Sequence, residues 1–275
     1  MAARRLRRTA AAAALTAVLT ACGSGSGGTP TVSPSASAAP TALATPTDRS
    51  PHGVLLSAQL AMHSARRARF SGNLGSDTVA GLLFWAPKTV LQLKRPGTTE
   101  EVVVLDTTAY RGGDAATAAR LGGRHWEKFT GAVGTDGQRA VPYADTVDRL
   151  NPVVALTAAA AAAAPERLGE EEIDDTAVEH YRVTTTVADY ADAQAQLPPA
   201  RRAALRAALG DGGVITLDLW LNDRDQPVQL QRTGSGAAER VSDTLRFEEF
   251  AGPLSVQAPA ESDTADAGGR SLPPL

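Results

Sequence analysis

Much of what this chain does comes from what it has little of. It carries one cysteine, Cys22, so no disulfide within the chain can staple the fold. Aromatic residues make up 4% of it, which leaves aliphatic side chains to fill a core. Lysine is scarce beside arginine and alanine, the bias of a GC-rich genome. The four histidines, His52, His63, His125 and His180, show no metal-ligand spacing. The sequence contains no His-Glu-x-x-His, no Gly-x-Ser-x-Gly and no phosphate-binding loop. No catalytic or metal residue is therefore assigned, no cofactor is implied, and the chain reads as a non-enzyme.

What is present begins at the N-terminus. Arg4, Arg5, Arg7 and Arg8 form a basic segment, and Thr9 to Leu19 is an apolar run too short to span a bilayer. The run ends in Leu19-Thr20-Ala21-Cys22-Gly23, which resembles the bacterial lipobox. Small residues there let a signal peptidase bind an extended backbone, and the Cys22 thiol is the nucleophile that takes a diacylglyceryl thioether. Residues 1–21 are thus expected to be a lipoprotein signal peptide cleaved between Ala21 and Cys22, with Cys22 the membrane anchor. A lone exported cysteine can also be a free thiol or an intermolecular disulfide. Arg4-Arg5 followed by Leu6-Arg7-Arg8 fits a twin-arginine signal poorly, so the export route stays open.

Those four arginines are part of the 27 basic residues; without them 23 stand against 30 acidic ones, a net charge of −7. Nucleic acid and an electrostatic grip on anionic lipid are both disfavoured. Acyl chains alone would then hold the protein, at the outer face of the cytoplasmic membrane.

Residues 22–51 are Gly, Ser, Thr, Pro and Ala with almost no apolar bulk and read as a disordered tether. Its reach is about 90 Å as polyproline II or about 30 Å r.m.s. as a coil. A globular domain is expected over 52–257 and a flexible tail over 258–275. Val54 to Arg66 has helical periodicity. Short runs over 69–75, 79–85, 89–94, 100–106, 109–111 and 124–129 predict an antiparallel meander. The alanine-rich stretch 143–164 predicts a helix that Pro152 kinks or divides. A strand over 177–187, a helix from Pro198-Pro199 to Gly210, and strands over 214–221, 227–233 and 239–250 follow. No βαβ alternation occurs, so a doubly wound parallel sheet is excluded.

Four stretches carry a family likeness: Tyr110-Arg111-Gly112 with Arg124-His125-Trp126-Glu127-Lys128; Gly169 to Asp174 leading into Glu179-His180-Tyr181-Arg182; the Pro-Pro helix; and Leu217 to Asp223 running to Pro227-Val228. Together they resemble the LppX/LprG family of actinobacterial lipoproteins, whose fold is similar to the LolA/LolB carriers. The resemblance implies an α+β fold, a curled antiparallel sheet or half-barrel with helices packed across its concave face, and an apolar cavity for a lipid or glycolipid. On the reading that Leu82 and Phe84, Leu91 and Leu93, and Val102 and Val104 share one face, with Leu55 and Met62 of the first helix over it, these eight are the cavity candidates. The other reading is a closed core, an envelope interaction or sensor module whose protein partner the sequence does not name.

His180-Tyr181 reads as a strand pair, one side chain inward and one outward. Glu170 to Asp175 and Asn222 to Asp225 read as solvated turns. The second lacks the central glycine and the distant glutamate of a calcium loop. Trp85, Trp126 and Trp220 are core or cavity-wall candidates.

Overall fold

The computed structural model describes residues 48–134 and 137–275. Cys22, the leader and the tether up to residue 47 lie outside the described residues. The first helix, α1 (Pro51–Ala65), starts where the sequence supplies a cap and a proline. Ser50 accepts from the Gly53 amide, Pro51 needs no partner for a missing N–H, and Arg66 closes the helix in the left-handed region. A six-stranded meander follows, interrupted by one helix: β1 (Arg67–Leu74), β2 (Asp77–Phe84), β3 (Val90–Lys94), β4 (Glu101–Leu105), β5 (Thr108–Gly112), α2 (Ala115–Arg120) and β6 (Trp126–Thr130).

Helices come next: α3 (Ala144–Leu150) and α4 (Pro152–Ala161). Pro152 divides them, and the Asn151 side chain caps α4 by accepting from the Val153 amide at 3.0 Å. The second strand set is β7 (Glu166–Ile173), β8 (Thr176–Thr186), α5 (Val187–Asp192), α6 (Pro199–Leu209), β9 (Val214–Leu221), β10 (Pro227–Ser235), β11 (Ser242–Glu248) and β12 (Thr264–Asp266). Gly210, at φ 84°, ends α6 as the sequence predicts.

The described strands form one 12-stranded sheet in the order β12-β6-β5-β4-β3-β2-β1-β11-β10-β9-β8-β7. Every neighbouring pair is antiparallel except β12 with β6. The first and last strands do not pair with each other, so the sheet curls without closing into a barrel. This is the expected α+β half-barrel. Its inner side and the helices share one apolar cluster, running from Leu55 and Met62 of α1 through Leu83, Leu91 and Val104 to Leu217, Leu219 and Leu245.

Two expectations are corrected. Residues 258–275 are not a loose tail: β12 pairs with β6, Ala267 is buried, and Leu272 and Leu275 rest against the core. Two leucines and an alanine supply enough apolar surface to dock a segment whose Gly and Pro content suggested otherwise. The acidic run Glu170 to Glu172 is not a turn but part of β7, an edge strand paired with β8. Only one side of an edge strand is hydrogen-bonded, and its side chains stay in water, so acidic residues are tolerated there.

Candidate functional site

Strand register decides which candidates share a face, because side chains alternate with period two. Leu83 pairs with Leu91, Leu91 with Val104, Val104 with Ala109, and Ala109 with Phe129. Beside it runs a second row: Gly81, Leu93, Val102, Arg111 and Glu127. Leu91, Leu93, Val102 and Val104 therefore do face one way, into the same cluster as Leu55 and Met62. Leu82 and Phe84 do not. They pair with Gln92 and Val90 on the opposite face, where the Arg67 guanidinium lies 5.5 Å above the Phe84 ring. The inward residues of β2 are Val79, Gly81 and Leu83. In the run Gly81-Leu82-Leu83-Phe84 either parity offers bulky residues, and the core takes the set that includes glycine. A Cβ on Gly81 would fall 1.8 Å from the Gln92 carbonyl oxygen.

The six inward candidates are buried, with Leu55, Met62, Leu91 and Val104 at 0% exposure. Leu93 also borders a cleft of about 230 Å³ that contains Tyr143 and the chain end at Pro274 and Leu275. Along this interior α1 and α4 pack on each other. α4 is buried nearly all round, through Val153, Val154 and Leu156 with Ala155, Ala158, Ala159 and Ala160. Polar bonds of α1 run along its length, and one of them, from the Gln59 amide to the Thr157 hydroxyl at 2.9 Å, ties it to α4. Arg49 and Ser57 both bind Asp225 in the β9–β10 turn, at 2.8 and 2.5 Å, and the Trp85 indole donates to the Met62 carbonyl at 2.9 Å.

Farther round, the inner face is charged. Arg232 and Asp243, directly opposite on β10 and β11, are both at 0% exposure and bonded at 2.5 Å. Arg149 of α3 joins Asp243 at 2.5 Å, the Gly75 amide donates to it at 3.1 Å, and Arg232 also donates to the Tyr190 hydroxyl of α5 and the Arg149 carbonyl. Burial pushes the Asp243 carboxyl up, but Arg232 and then Arg149 outweigh it and hold it below its ordinary range. Beside it Arg201 of α6 grips Asp148 of α3 through two bonds, of 2.7 and 2.6 Å. There burial dominates, and the Asp148 carboxyl is pushed up.

The outer face carries one organised cluster that the sequence did not announce. Tyr181 points inward and His180 outward, as alternation requires. The His180 ring stacks on Trp220 at 4.3 Å and places its two nitrogens 2.7 Å from Glu171 and 2.7 Å from Asp218. The Trp220 indole also donates to Glu171 at 2.8 Å, and this bond, with His180, holds the Glu171 carboxyl below the usual range. Glu171, His180 and the Asp218–Trp220 pair come from three separate strands, so spacing alone could not assemble them. Trp126 is on the outer face too, opposite Gly112. Asn222 to Gln226 is a turn in which the Asn222 side chain accepts from the Arg224 and Gln226 amides at 3.0 Å, with Asp225 turned onto α1. No group of three or more His, Cys, Asp or Glu positioned to hold a metal occurs among the described residues.

No family model matches the chain. It is 26% identical over 204 residues to a protein of Streptomyces coelicolor provisionally named a lipoprotein, covering 71% of this chain and 63% of that one. It is 24% identical over 155 residues to an uncharacterised 31.2 kDa protein of Streptomyces griseus, from the rplA–rplJ intergenic region, covering 55% of this chain and 51% of that one. The chain thus spans between half and two thirds of the length of these relatives. No helix among the described residues is long and apolar enough to cross a membrane. Among solved structures, LprF from Mycobacterium bovis is similar at TM-score 0.46 and 16% identity, over 76% of this chain and 97% of that one. Lipoprotein LppX from Mycobacterium tuberculosis is similar at TM-score 0.49 and 9% identity, over 76% of this chain and all of its own length. These are proteins of the LppX/LprG family that the four sequence stretches resemble, and the chain is similar to them across about three quarters of its length.

Proposed function

We propose that this protein binds the acyl part of a lipid between the inner face of its sheet and the α1–α4 helix pair, while a lipidated Cys22 holds it at the outer face of the cytoplasmic membrane. The observation that carries the reading is a wall of unequal grip. The sheet side offers Leu83, Leu91, Leu93, Val102 and Val104, whereas four of the seven buried residues of α4 after Pro152 are alanines. Separating an alanine from a leucine face forfeits about one methyl of burial, and each acyl methylene that replaces it recovers about 0.8 kcal/mol. Ligand enters as α1 and α4 move off, because the space is otherwise filled by the protein's own side chains. Transfer from a bilayer to such a site costs little, since both are apolar. The lipoprotein relative and the leader's lipobox support the anchor.

The test is native mass spectrometry with organic extraction of the domain from Asp48 to Leu275, purified from a lipid-replete host. Near-stoichiometric lipid that is lost in Ala159→Phe, with the fold kept by circular dichroism, is the expected result. A second reading rests on the same filled core: with Leu55, Met62, Leu91 and Val104 at 0% exposure, the domain could serve as a closed interaction module. An apo mass that also ignores added lipid would select that reading.

A further inference from the structure

The inner rows of the sheet differ in how they end at β6. The row through Leu91 and Val104 remains apolar to Phe129, but the row through Leu93 and Val102 finishes in Arg111 and Glu127. A cleft of about 810 Å³ opens at this end, with Arg111, Arg120, Arg270, Glu127 and Phe129 in its wall. Glu127, whose side chain is 4% exposed, takes Arg120 at 2.8 Å and also Arg270. Glu100 takes Arg111 at 2.5 Å and Arg95 at 3.7 Å. Asp114 is turned away onto α2, accepting from the amide and hydroxyl of Thr117. The wall of the cleft thus holds three guanidiniums, Arg111, Arg120 and Arg270, and three carboxylates; with Asp114 occupied by Thr117, the three guanidiniums share two carboxylates, and Glu127 alone serves two of them.

We propose that this cleft receives the anionic headgroup, carboxylate or phosphate, of an amphiphile whose chain passes Phe129 onto the inner face of the sheet. The inference rests on the acyl-binding reading above and names the headgroup end of that site. Guanidinium forks match both anions in a bidentate manner. Arg120 and Arg270 are 49% and 57% exposed, so either can swing to a ligand while the other keeps Glu127 paired. The segment that carries Arg270 crosses the mouth, with Arg111 donating to the Pro274 carbonyl at 2.9 Å and Leu272 against the core, so it forms the lip of the site.

The probe pair is cis-parinaric acid and its methyl ester, titrated by fluorescence into the delipidated protein. The acid should bind about tenfold more tightly than the ester at low salt, the size of a charge-assisted hydrogen bond. That preference should shrink as salt is added. Arg120→Gln and Arg270→Gln, each leaving Glu127 its other arginine, should each weaken the acid by about three- to tenfold and leave the ester unchanged. Unchanged ester binding also certifies the fold of each variant. Equal binding of acid and ester in the unmodified protein, or a preference that neither variant reduces, would overturn the headgroup site while acyl binding stands. If neither probe binds, the acyl reading itself fails and this inference goes with it. Inorganic phosphate that binds as tightly as parinaric acid would make the cleft a site for a free anion and overturn the amphiphile.

Discussion

Helix α3 is fastened to the sheet by charge, whereas α1 and α4 meet the interior with Val, Leu, Met and Ala side chains. The Arg149–Asp243–Arg232 group and the Asp148–Arg201 pair fix α3 between the sheet and α6, with directed bonds that fail abruptly if moved. The contacts that α1 and α4 make with the interior are apolar and have no preferred direction; their polar bonds run to each other, Gln59 to Thr157, and to Asp225, Trp85 and Gln194 around them. One interior therefore combines a rigid frame with a wall that can shift, which is what a site that opens for a chain and closes after it requires.

The largest expected effect falls on the rigid side. Arg232→Ala leaves buried Asp243 with Arg149 alone and should cost about 3 to 5 kcal/mol of stability by urea unfolding. A loss below about 1 kcal/mol would mean that the two parts of the interior are fastened alike. Next comes a pair of neighbours on β2. Leu83→Ala, on the inner face, should cost about 2 to 4 kcal/mol, and Phe84→Ala, half-buried on the outer face, about 1 kcal/mol. Equal losses would contradict the observed register. Native-state hydrogen exchange then compares helix with helix: amides of α4 should open at a free energy about 1 to 2 kcal/mol below those of α3, and added lipid should slow α4 more than α3.

The smallest effect is acid sensitivity. Asp243 and Glu171 titrate below their ordinary ranges when folded, so their contribution is complete above about pH 5 and is lost as pH falls through the folded values. Asp148 works the other way, since its raised value favours the folded state as it protonates. The thermal midpoint should fall on acidification, and Glu171→Gln, at an exposed position, should flatten that fall only slightly.

The sequence made the meander, the division at Pro152 and the Gly210 stop legible, because each depends on local signals: period-two runs, a ring that fixes φ, a residue free to turn left. Short capped helices escaped it. α2 and α5 have six residues each, too few for a periodic pattern, and rest on Asp114 and Thr186 caps. The inner face of β2 was misread because parity in Leu82-Leu83-Phe84 is set by partners on β1 and β3, not by the run itself. Four of the six strand candidates and both helix candidates reached the interior. The arginine-ringed cleft was beyond reach, since Arg270 is brought to Arg111 and Glu127 by a parallel pairing of a stretch that looked like a tail.

The acidic character of β7 has a consequence for molecules held close together. A sheet that never closes leaves two edges, and an unpaired edge is a template on which a neighbouring copy can add its own strand and begin a fibre. Here one edge ends in Glu166, Glu170, Glu171 and Glu172, a row of like charge that repels its own image, and the other in a strand of three residues. Many copies can then stand side by side and remain separate molecules.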